Sequence, residues 1–228
     1  MARIKDRVPE GGAIDDNDTM STEEYSDIME RVLGSHYRSF VSDLLEACAL
    51  PHGARALEIG PGPGWVGIEL AKRRSDIVLL GVDASSDMIR VAVANAEKHG
   101  VADRVSYSVG EAESLSGVED ESVDMVFSRD SLHHWTDPTR SFKSILRVLR
   151  PTGVIYIGDG RRNIGLAARV MVNVAGPLIA GKMARFWKSS IAAGYTGEEV
   201  SRMVSGVGAD WTVRESFMDL RITSHALH

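Results

Sequence analysis

The chain has 228 residues, of which 43% are hydrophobic, so its length and composition predict one domain with a full hydrophobic core. Its only cysteine, Cys48, excludes an internal disulfide and a cysteine metal cluster, and its position in an apolar run indicates a buried core residue. The formal net charge of −6 argues against nucleic acid as the main target, because neutralising phosphates requires clustered Lys and Arg.

The first 20 residues are charged and rich in glycine and aspartate, including the run at positions 15–18. Such a composition predicts an arm that is mobile unless substrate orders it. The run lacks the glycine and terminal glutamate of a calcium-binding loop at EF-hand spacing, so a solvated acidic segment is favoured. The sequence does not begin with a basic segment followed by an apolar one, as a signal peptide does, so we expect a cytoplasmic protein.

Two amphipathic helices are predicted next, at residues 22–33 and 39–50. Ser21 and Glu24 have the spacing of a capping box for the first helix, and the Pro51-His52-Gly53 sequence ends the second. We therefore expect residues 1–52 to form an arm and a helical lid ahead of the main fold.

A glycine-rich turn follows the first predicted strand. The apolar stretch that contains Glu58 runs into glycines at positions 60, 62 and 64. Glycine tolerates positive φ and lets the backbone approach a ligand closely. The helix predicted at residues 65–72 would direct its free N–H groups toward that ligand. The pattern predicts a nucleotide-binding turn.

The second strand strengthens this prediction. Residues 77–82 form a continuous apolar run, which is typical of a buried parallel strand, and the run ends in Asp83. A carboxylate at this position can accept hydrogen bonds from both ribose hydroxyls of an adenosine. Residues 62–67 also satisfy the G-x-G-x-x-G pattern of NAD-binding proteins, so NAD and S-adenosylmethionine both remain open at this point.

Helices and strands continue to alternate through the middle of the chain. Helices are predicted at residues 86–99 and 141–150, and strands at 104–109, 122–128 and 154–157. This alternation predicts an α/β fold, a doubly wound and mostly parallel sheet with helices on both faces. Ligands of such sheets bind outside the carboxyl ends of the strands, where Gly60, Asp83, Glu111 and Asp130 all fall.

Four motifs in order decide between the two cofactors: the glycine turn, Asp83, the Gly110-Glu111-Ala112 segment and the segment from Ser128 to Trp135. Together they resemble the class I S-adenosylmethionine-dependent methyltransferases over residues 53–160, nearest to the small-molecule group that contains quinone-precursor C-methylases. The resemblance implies S-adenosyl-L-methionine as cofactor, S-adenosyl-L-homocysteine as product, and a seven-stranded sheet with an antiparallel last strand. The chain departs from the family where Glu58 and Pro61 replace the more usual Asp and Cys or Ser.

The resemblance also implies roles for individual residues. Glu58 would lie near the methionine part of the cofactor, Asp83 would hold the ribose, and Glu111 with Ala112 would meet the adenine. The segment from Ser128 would flank the methyl group, and the N-terminal helices would cover the cofactor. The implied cofactor-binding residues are Glu58, Gly60, Gly62, Gly64, Asp83, Ala84, Met88, Glu111, Ala112, Ser128 and Asp130.

Methyl transfer from a sulfonium depends mainly on aligning the acceptor with the S–CH3 bond. A base near the methyl group helps when the acceptor must lose a proton, and His133 and His134 are the candidates because imidazole titrates near neutral pH. A shaping or helix-capping role is the alternative for both. Adjacent histidines without a third ligand at suitable spacing do not form a metal site, so we expect no metal.

Residues 161–195 change in character, with apolar and small residues punctuated by basic ones. Arg169 and Pro177 interrupt the run, and the apolar piece is shorter than the about 20 residues that a bilayer requires, so we expect no membrane span. We predict a helical cap over the active site; an outer helix or a dimer face is the alternative. Residues 196–228 should complete the sheet with a helix at 198–204 and strands at 211–217 and 220–227.

The candidate contacts to the methyl acceptor lie in the lid, the fourth-strand turn and the cap. Apolar cap residues suggest an apolar cavity: Met171, Leu178, Met183, Phe186 and Trp187. Arg161 and Arg162 would bind an acidic group of the acceptor in the bidentate manner of arginine, and a solvated loop pair is the alternative. Tyr25 and Tyr37 could meet the cofactor carboxylate or the substrate, with core or surface packing as the alternative. Trp135 is the remaining candidate.

These features predict a methyltransferase that acts on a small molecule, in particular an apolar or aromatic acid, as a monomer or homodimer. A sensor or a non-catalytic partner subunit that binds S-adenosylmethionine is the alternative from a different class. A methyltransferase of RNA or protein is less favoured. So is an NAD(P)-linked oxidoreductase, because the chain lacks a Tyr-x-x-x-Lys pair and a second mononucleotide-binding half.

Overall fold

One sheet organises the part of the chain that the computed structural model describes, namely residues 6–9, 20–175 and 184–224. Its strands in chain order are β1 (Arg55–Ile59), β2 (Val78–Asp83), β3 (Val105–Val109), β4 (Val123–Arg129), β5 (Leu149–Gly160), β6 (Trp211–Glu215) and β7 (Asp219–Ser224). Across the sheet the order is β3-β2-β1-β4-β5-β7-β6. Strands β1 to β5 are parallel, whereas β7 runs antiparallel to both β5 and β6. The predicted doubly wound sheet with an antiparallel last strand is confirmed.

Helices cover both faces of this sheet. They are α1 (Thr22–Ala47), α2 (Trp65–Arg73), α3 (Ser86–Lys98), α4 (Pro138–Val148), α5 (Leu166–Val170), α6 (Ala184–Ala193) and α7 (Gly197–Gly206). A 3-10 turn, Leu132–His134, follows β4, and a π-helical turn, Met171–Ala175, continues α5. Three predicted features lie outside the described residues: the acidic run at 15–18, the cap residues Leu178 and Met183, and the end of the last strand beyond Ser224.

The N-terminal lid is one helix, and the prediction of two separate helices was wrong. Helix α1 runs without a break for 26 residues through Gly34 and Ser35. A glycine inside a helix costs only about 1 kcal/mol. The buried side chains of Tyr25, Phe40 and Leu44 lie along the helix on both sides of this glycine, and their packing outweighs that cost.

The boundary between α4 and β5 also differs from the predicted one. Helix α4 begins at Pro138, where the missing N–H is harmless, and Asp137 caps it by accepting from the Arg140 amide at 3.0 Å. The helix ends at Val148, and Leu149 already pairs with β4. Residues 149–150 therefore belong to a strand and not to the predicted helix.

Alternate residues of the central strands enter two separate cores, because successive side chains of a strand point to opposite faces. Ile155 and Ile157 of β5 pack in the core beneath α4 and α7. Tyr156 between them packs in the core beneath α1 and α2. Burial on both faces explains the continuous apolar runs of these strands. Within the described residues, no helix is long and apolar enough to cross a membrane.

We expect truncation of Phe142 to destabilise the protein strongly. Its ring is fully buried in α4, in edge contact with Trp135 and with Trp211 of β6. Phe142→Ala should lower the free energy of unfolding by about 3–5 kcal/mol, since it removes buried area and leaves a cavity. Urea denaturation measures the loss. Val93→Ala on the exposed side of α3 is the control, and an equal loss in both variants would contradict this packing.

Candidate active site

The turn after β1 is shaped for close approach. Gly60, Gly62 and Gly64 all have left-handed backbone angles, with φ of 66°, 51° and 86°. A side chain at position 60 would overlap that of Ser131, so the turn after β1 touches the turn after β4. A Cβ at position 62 would meet no atom within 4 Å, so this part of the turn opens onto free space. A ligand can approach the backbone there.

Asp83 joins the end of β2 to this turn. Its Oδ2 accepts from the Gly62 amide at 3.0 Å, and its Oδ1 accepts from the Ser85 amide at 2.9 Å. Each carboxylate oxygen has two lone pairs, so each can still accept a further hydrogen bond from a ribose hydroxyl. The carboxylate therefore orders the glycine turn and keeps capacity for a ligand.

Glu58 is a buried acid at the base of the same turn. It is 1% exposed, and within the described residues its Oε2 has no hydrogen-bond partner. Burial raises the pKa of Glu58 to about 8; the charge of Asp83 adds to this shift, and the nearby Gly67 amide opposes it. A buried carboxyl without a protein partner is costly, and a cationic ligand group beside it would lower that cost.

Lid helix α1 is tied directly to the glycine turn. The Asn95 side chain of α3 donates to the Pro63 carbonyl at 2.9 Å and to the Ser26 hydroxyl of α1 at 3.1 Å. The Trp65 indole N–H donates to the Ser26 carbonyl at 3.1 Å. These three bonds hold the lid and the turn in one arrangement.

An apolar cluster joins the lid to the cap. Met20, Tyr25 and Met88 are buried together, with Phe186 and Trp187 of α6 packed against them. The rings of Tyr25 and Phe186 meet edge to face at 6.0 Å between centroids. The predicted lid residue Tyr25, the predicted cofactor residue Met88 and two predicted cap residues are thus brought together.

The other predicted cofactor residues occupy different environments. Ala84 and Glu111 are exposed just beyond β2 and β3, whereas Ala112 is buried in the core. The side chain of Ser128 is fully buried and donates to the Ile59 carbonyl at 2.7 Å. Its hydroxyl fixes the end of β1, so it supports the glycine turn from inside the sheet.

A charged cluster follows β4. Asp130 has a φ of 55°, and its amide donates to the Gly158 carbonyl at 2.9 Å. The buried guanidinium of Arg129 lies 3.2 Å from the Asp130 carboxylate and 3.3 Å from that of Asp219. Burial raises the pKa of Asp130, and the charge of Arg129 opposes that shift. His36 of α1 contacts Arg129, which brings the lid to this strand end.

His133 and Asp159 form a buried pair at the ends of β4 and β5. The Asp159 Oδ1 is 2.8 Å from Nδ1 of His133, and its Oδ2 accepts from the His133 amide at 2.7 Å. Burial alone would raise the pKa of Asp159, but the His133 imidazole and both hydrogen bonds hold it below its ordinary value. An ionised Asp159 favours the proton on Nδ1, so Nε2 is the basic nitrogen of this imidazole.

His134 lies beside this pair, and two predicted acceptor contacts, Trp135 and Tyr37, lie in the two cores. The half-buried ring of His134 packs on His133, with 4.1 Å between ring centroids. Trp135 points into the core, where its N–H donates to the Ser131 hydroxyl at 3.0 Å. Tyr37 is also buried among core residues, and burial raises the pKa of its hydroxyl well above the usual value. The side chains of Trp135 and Tyr37 thus pack in the core, and their contact with the acceptor stays a prediction.

Arg161 and Arg162 have carboxylate partners within the protein, whereas the sequence predicted that they bind an acidic group of the acceptor. Arg161 donates to Glu215 at 2.9 Å, and Arg162 forms a two-bonded ion pair with Glu199 at 2.5 Å. The Glu199 carboxylate also completes the capping box of α7 with Thr196. Both arginines thus fasten β5 to the C-terminal elements.

Several contributors were not predicted. They lie in four different parts of the chain and meet only in the fold: Asp159 in β5, Ser131 in the turn after β4, Asn95 in α3 and Tyr107 in β3. The hydroxyl of Tyr107 lies under the glycine turn, 2.5 Å from where a Cβ of Gly64 would stand. One sequence signal could have found Asp159. It is an acid at the end of a strand, in the Gly158-Asp159-Gly160 sequence, as Asp83 is at the end of another strand.

The fold and this site are similar to those of the class I, S-adenosylmethionine-dependent methyltransferases. Residues 57–157 match the family described as a methyltransferase domain. A solved structure from Methanococcus maripaludis, named as a candidate S-adenosyl-L-methionine-dependent methyltransferase, has the same fold. It superposes with a TM-score of 0.71 at 21% identity, covering 92% of this chain and 96% of that one.

Two curated relatives are similar over the same domain. Erythromycin 3''-O-methyltransferase of Saccharopolyspora erythraea is 32% identical over 123 residues, which cover 54% of this chain and 40% of the relative. The 27-O-demethylrifamycin SV methyltransferase of Amycolatopsis mediterranei is 36% identical over 107 residues, which cover 47% of this chain and 39% of the relative. The chain thus spans about two fifths of the length of these relatives.

S-adenosyl-L-methionine is the cofactor of this domain, and two observations show that the site fits it. The open face of Gly62 leaves room beside the backbone, and Asp83 stands next to it with acceptor capacity. The Oε2 of Glu58, which lacks a partner among the described residues, suits the cationic amino group of a methionine.

We expect Asp83→Ala to weaken binding of S-adenosyl-L-methionine and S-adenosyl-L-homocysteine. The change removes a charged acceptor for the ribose and releases the Gly62 amide, which should cost about 1.5–3 kcal/mol of binding free energy. Titration calorimetry measures it, with Asp87→Ala on the exposed start of α3 as control. Unchanged affinity in Asp83→Ala would remove this carboxylate from the site, and binding of NAD would contradict the cofactor.

We expect Glu58→Gln to change how stability depends on pH in the cofactor-free protein. The folded-state pKa of about 8 exceeds the ordinary 4.5, so between these values the folded protein keeps a proton that the unfolded chain releases. The wild type should lose up to about 1.4 kcal/mol of unfolding free energy per pH unit, relative to Glu58→Gln, as the pH rises through this window. Urea denaturation at pH 5.5, 6.5 and 7.5 measures the difference. Parallel curves for the two proteins would show that Glu58 titrates normally.

Proposed function

We propose that this protein transfers the methyl group of S-adenosyl-L-methionine to a hydroxyl group of a small apolar molecule. The observation that carries the proposal is the buried His133–Asp159 pair, which lies two residues beyond the Ser131 that contacts Gly60. A base is thereby held beside the turn that receives the cofactor.

The bound cofactor supplies a methyl group on a sulfonium sulfur. When the methyl group is transferred, the sulfur leaves as a neutral thioether and needs no acid assistance. The protein's part is to align the acceptor and to remove its proton. His133 would accept the hydroxyl proton at Nε2 while the oxygen attacks the methyl carbon. Asp159, ionised and bonded to Nδ1, would hold the required tautomer and stabilise the imidazolium that forms.

Two observations support an apolar small molecule as the acceptor: the apolar cluster between lid and cap, called the roof below, and the names of the relatives. The lid and cap present apolar side chains around Tyr25 and Phe186. The relatives of the domain are named for O-methylation of erythromycin and methylation of a demethylrifamycin, both small molecules. Because Arg161 and Arg162 are bonded to glutamates, the proposal includes no acidic group on the acceptor.

A sensor that binds S-adenosyl-L-methionine without reacting is the competing function. Such a protein needs the glycine turn and Asp83, but it has no use for a histidine held by a buried carboxylate. Burial of that pair costs desolvation energy, and a sensor would gain nothing in return. The pair therefore favours an enzyme.

Methyl transfer from labelled S-adenosyl-L-methionine into fractionated small-molecule extracts tests the proposal. With an acceptor identified in this way, His133→Ala and Asp159→Asn should each lower kcat by about 10²- to 10⁴-fold, the range of general base catalysis, at unchanged cofactor affinity. Alkaline pH should partly restore His133→Ala, because hydroxide then replaces the base.

His52→Ala is the matched control, because this histidine is exposed on the turn before β1. It should retain wild-type kcat. A kcat of His133→Ala within a few fold of the wild type would show that His133 is not the base. Label found only in protein or RNA would show that the acceptor is not a small molecule.

A further inference from the structure

We infer that Arg7 is a positioning residue for His133, so that the N-terminal segment at residues 6–9 forms part of the active site. The role of His133 belongs to the proposed function, and the inference rests on it. Sequence composition predicted a mobile arm here, but the structure gives this segment specific contacts.

The Arg7 guanidinium makes three contacts with two different elements. Its Nη2 donates to the His133 carbonyl at 2.5 Å, and its Nε donates to the Ala193 carbonyl at 2.7 Å. Its planar group lies over the ring of Tyr195, 4.3 Å from the centroid. The neighbouring Val8 amide donates to the Ala192 carbonyl at 3.2 Å. The segment therefore crosses from the end of α6 to the turn after β4.

These contacts complete the fixation of His133. Asp159 holds its backbone amide and its Nδ1, and Arg7 holds its carbonyl. The residue is thus held on both sides of its Cα as well as at the ring. Since imidazole direction follows backbone direction, loosening the carbonyl would let Nε2 swing relative to the acceptor, and small misplacements are costly in catalysis.

An arginine suits this position better than any other residue. Its rigid fork can donate to two carbonyls at once and stack on an aromatic ring, whereas a lysine ammonium is a single point charge. The carbonyls of Ala192 and Ala193 end helix α6, where a cation is electrostatically favoured. Arg7 therefore caps α6 and ties it to the base.

The connection has a consequence for the cap. Helix α6 carries Phe186 and Trp187 into the apolar roof at one end and meets Arg7 at the other. The roof that receives the acceptor and the turn that carries the base are thereby joined through one side chain.

Arg7→Met and Arg7→Lys variants of the 228-residue chain test the inference. Arg202→Met is the control, because the Arg202 side chain is 71% exposed and lies 3.9 Å from the Glu198 carboxylate. Amide exchange is measured with S-adenosyl-L-homocysteine bound. In Arg7→Met, exchange at residues 131–135 and 190–195 should rise about tenfold or more, while β1 and α2 keep wild-type protection. Exchange in Arg7→Lys should lie between that of the wild type and that of Arg7→Met, and exchange in Arg202→Met should match the wild type.

A spectroscopic readout separates positioning from general stability. Nitrogen-15 spectra of the His133 ring should show one tautomer in the wild type and a mixture in Arg7→Met. With an acceptor in hand, kcat should fall about tenfold or more at unchanged KM for S-adenosyl-L-methionine, the signature of a lost interaction at the reacting group.

Wild-type exchange and a single tautomer in Arg7→Met would overturn the inference, as would a uniform rise in exchange along the whole chain. Failure of the proposed function gives a different result. If the wild type methylates no acceptor, the proposed function falls, and the exchange and tautomer measurements still decide whether Arg7 holds the His133 turn.

Discussion

The close approach of two turns, after β1 and after β4, is the constraint on which the rest of the site depends. It is possible only because position 60 has no side chain: a Cβ there would overlap Ser131. Ser131 in turn receives the Trp135 indole, which anchors the turn in the core beneath α4. The cofactor turn and the histidine turn are therefore one packed unit, and their separation is fixed by folding before any ligand arrives.

Charge distribution around this unit explains how one edge of a sheet offers different chemistries. Glu58 is buried without a cation, so its pKa is raised to about 8, whereas Asp159 is equally buried but faces His133 and has a lowered pKa. Environment and not residue type sets each protonation state. The Oε2 of Glu58 has no partner among the described residues, whereas Asp159 is bonded to the imidazole and the amide of His133.

Sequence patterns were sufficient for the sheet, the glycine turn and Asp83, because periodicity and strand-end acids are local signals. They failed where tertiary contacts decide. Packing on both sides of Gly34 made one helix where a break was predicted. Glutamates from distant elements form ion pairs with Arg161 and Arg162. The partnership of His133 with Asp159 depends on the pairing of β4 with β5, which the sequence does not state.

The double attachment of Asp83 has a consequence for the range of nucleosides that this site can accept. Two backbone amides already fix the orientation of the carboxylate, so the ribose does not have to organise its own acceptor. The conformational entropy of that arrangement is spent during folding and not on binding. A nucleoside that lacks one ribose hydroxyl would meet an undisturbed glycine loop and forfeit only the bond that its missing oxygen would have made.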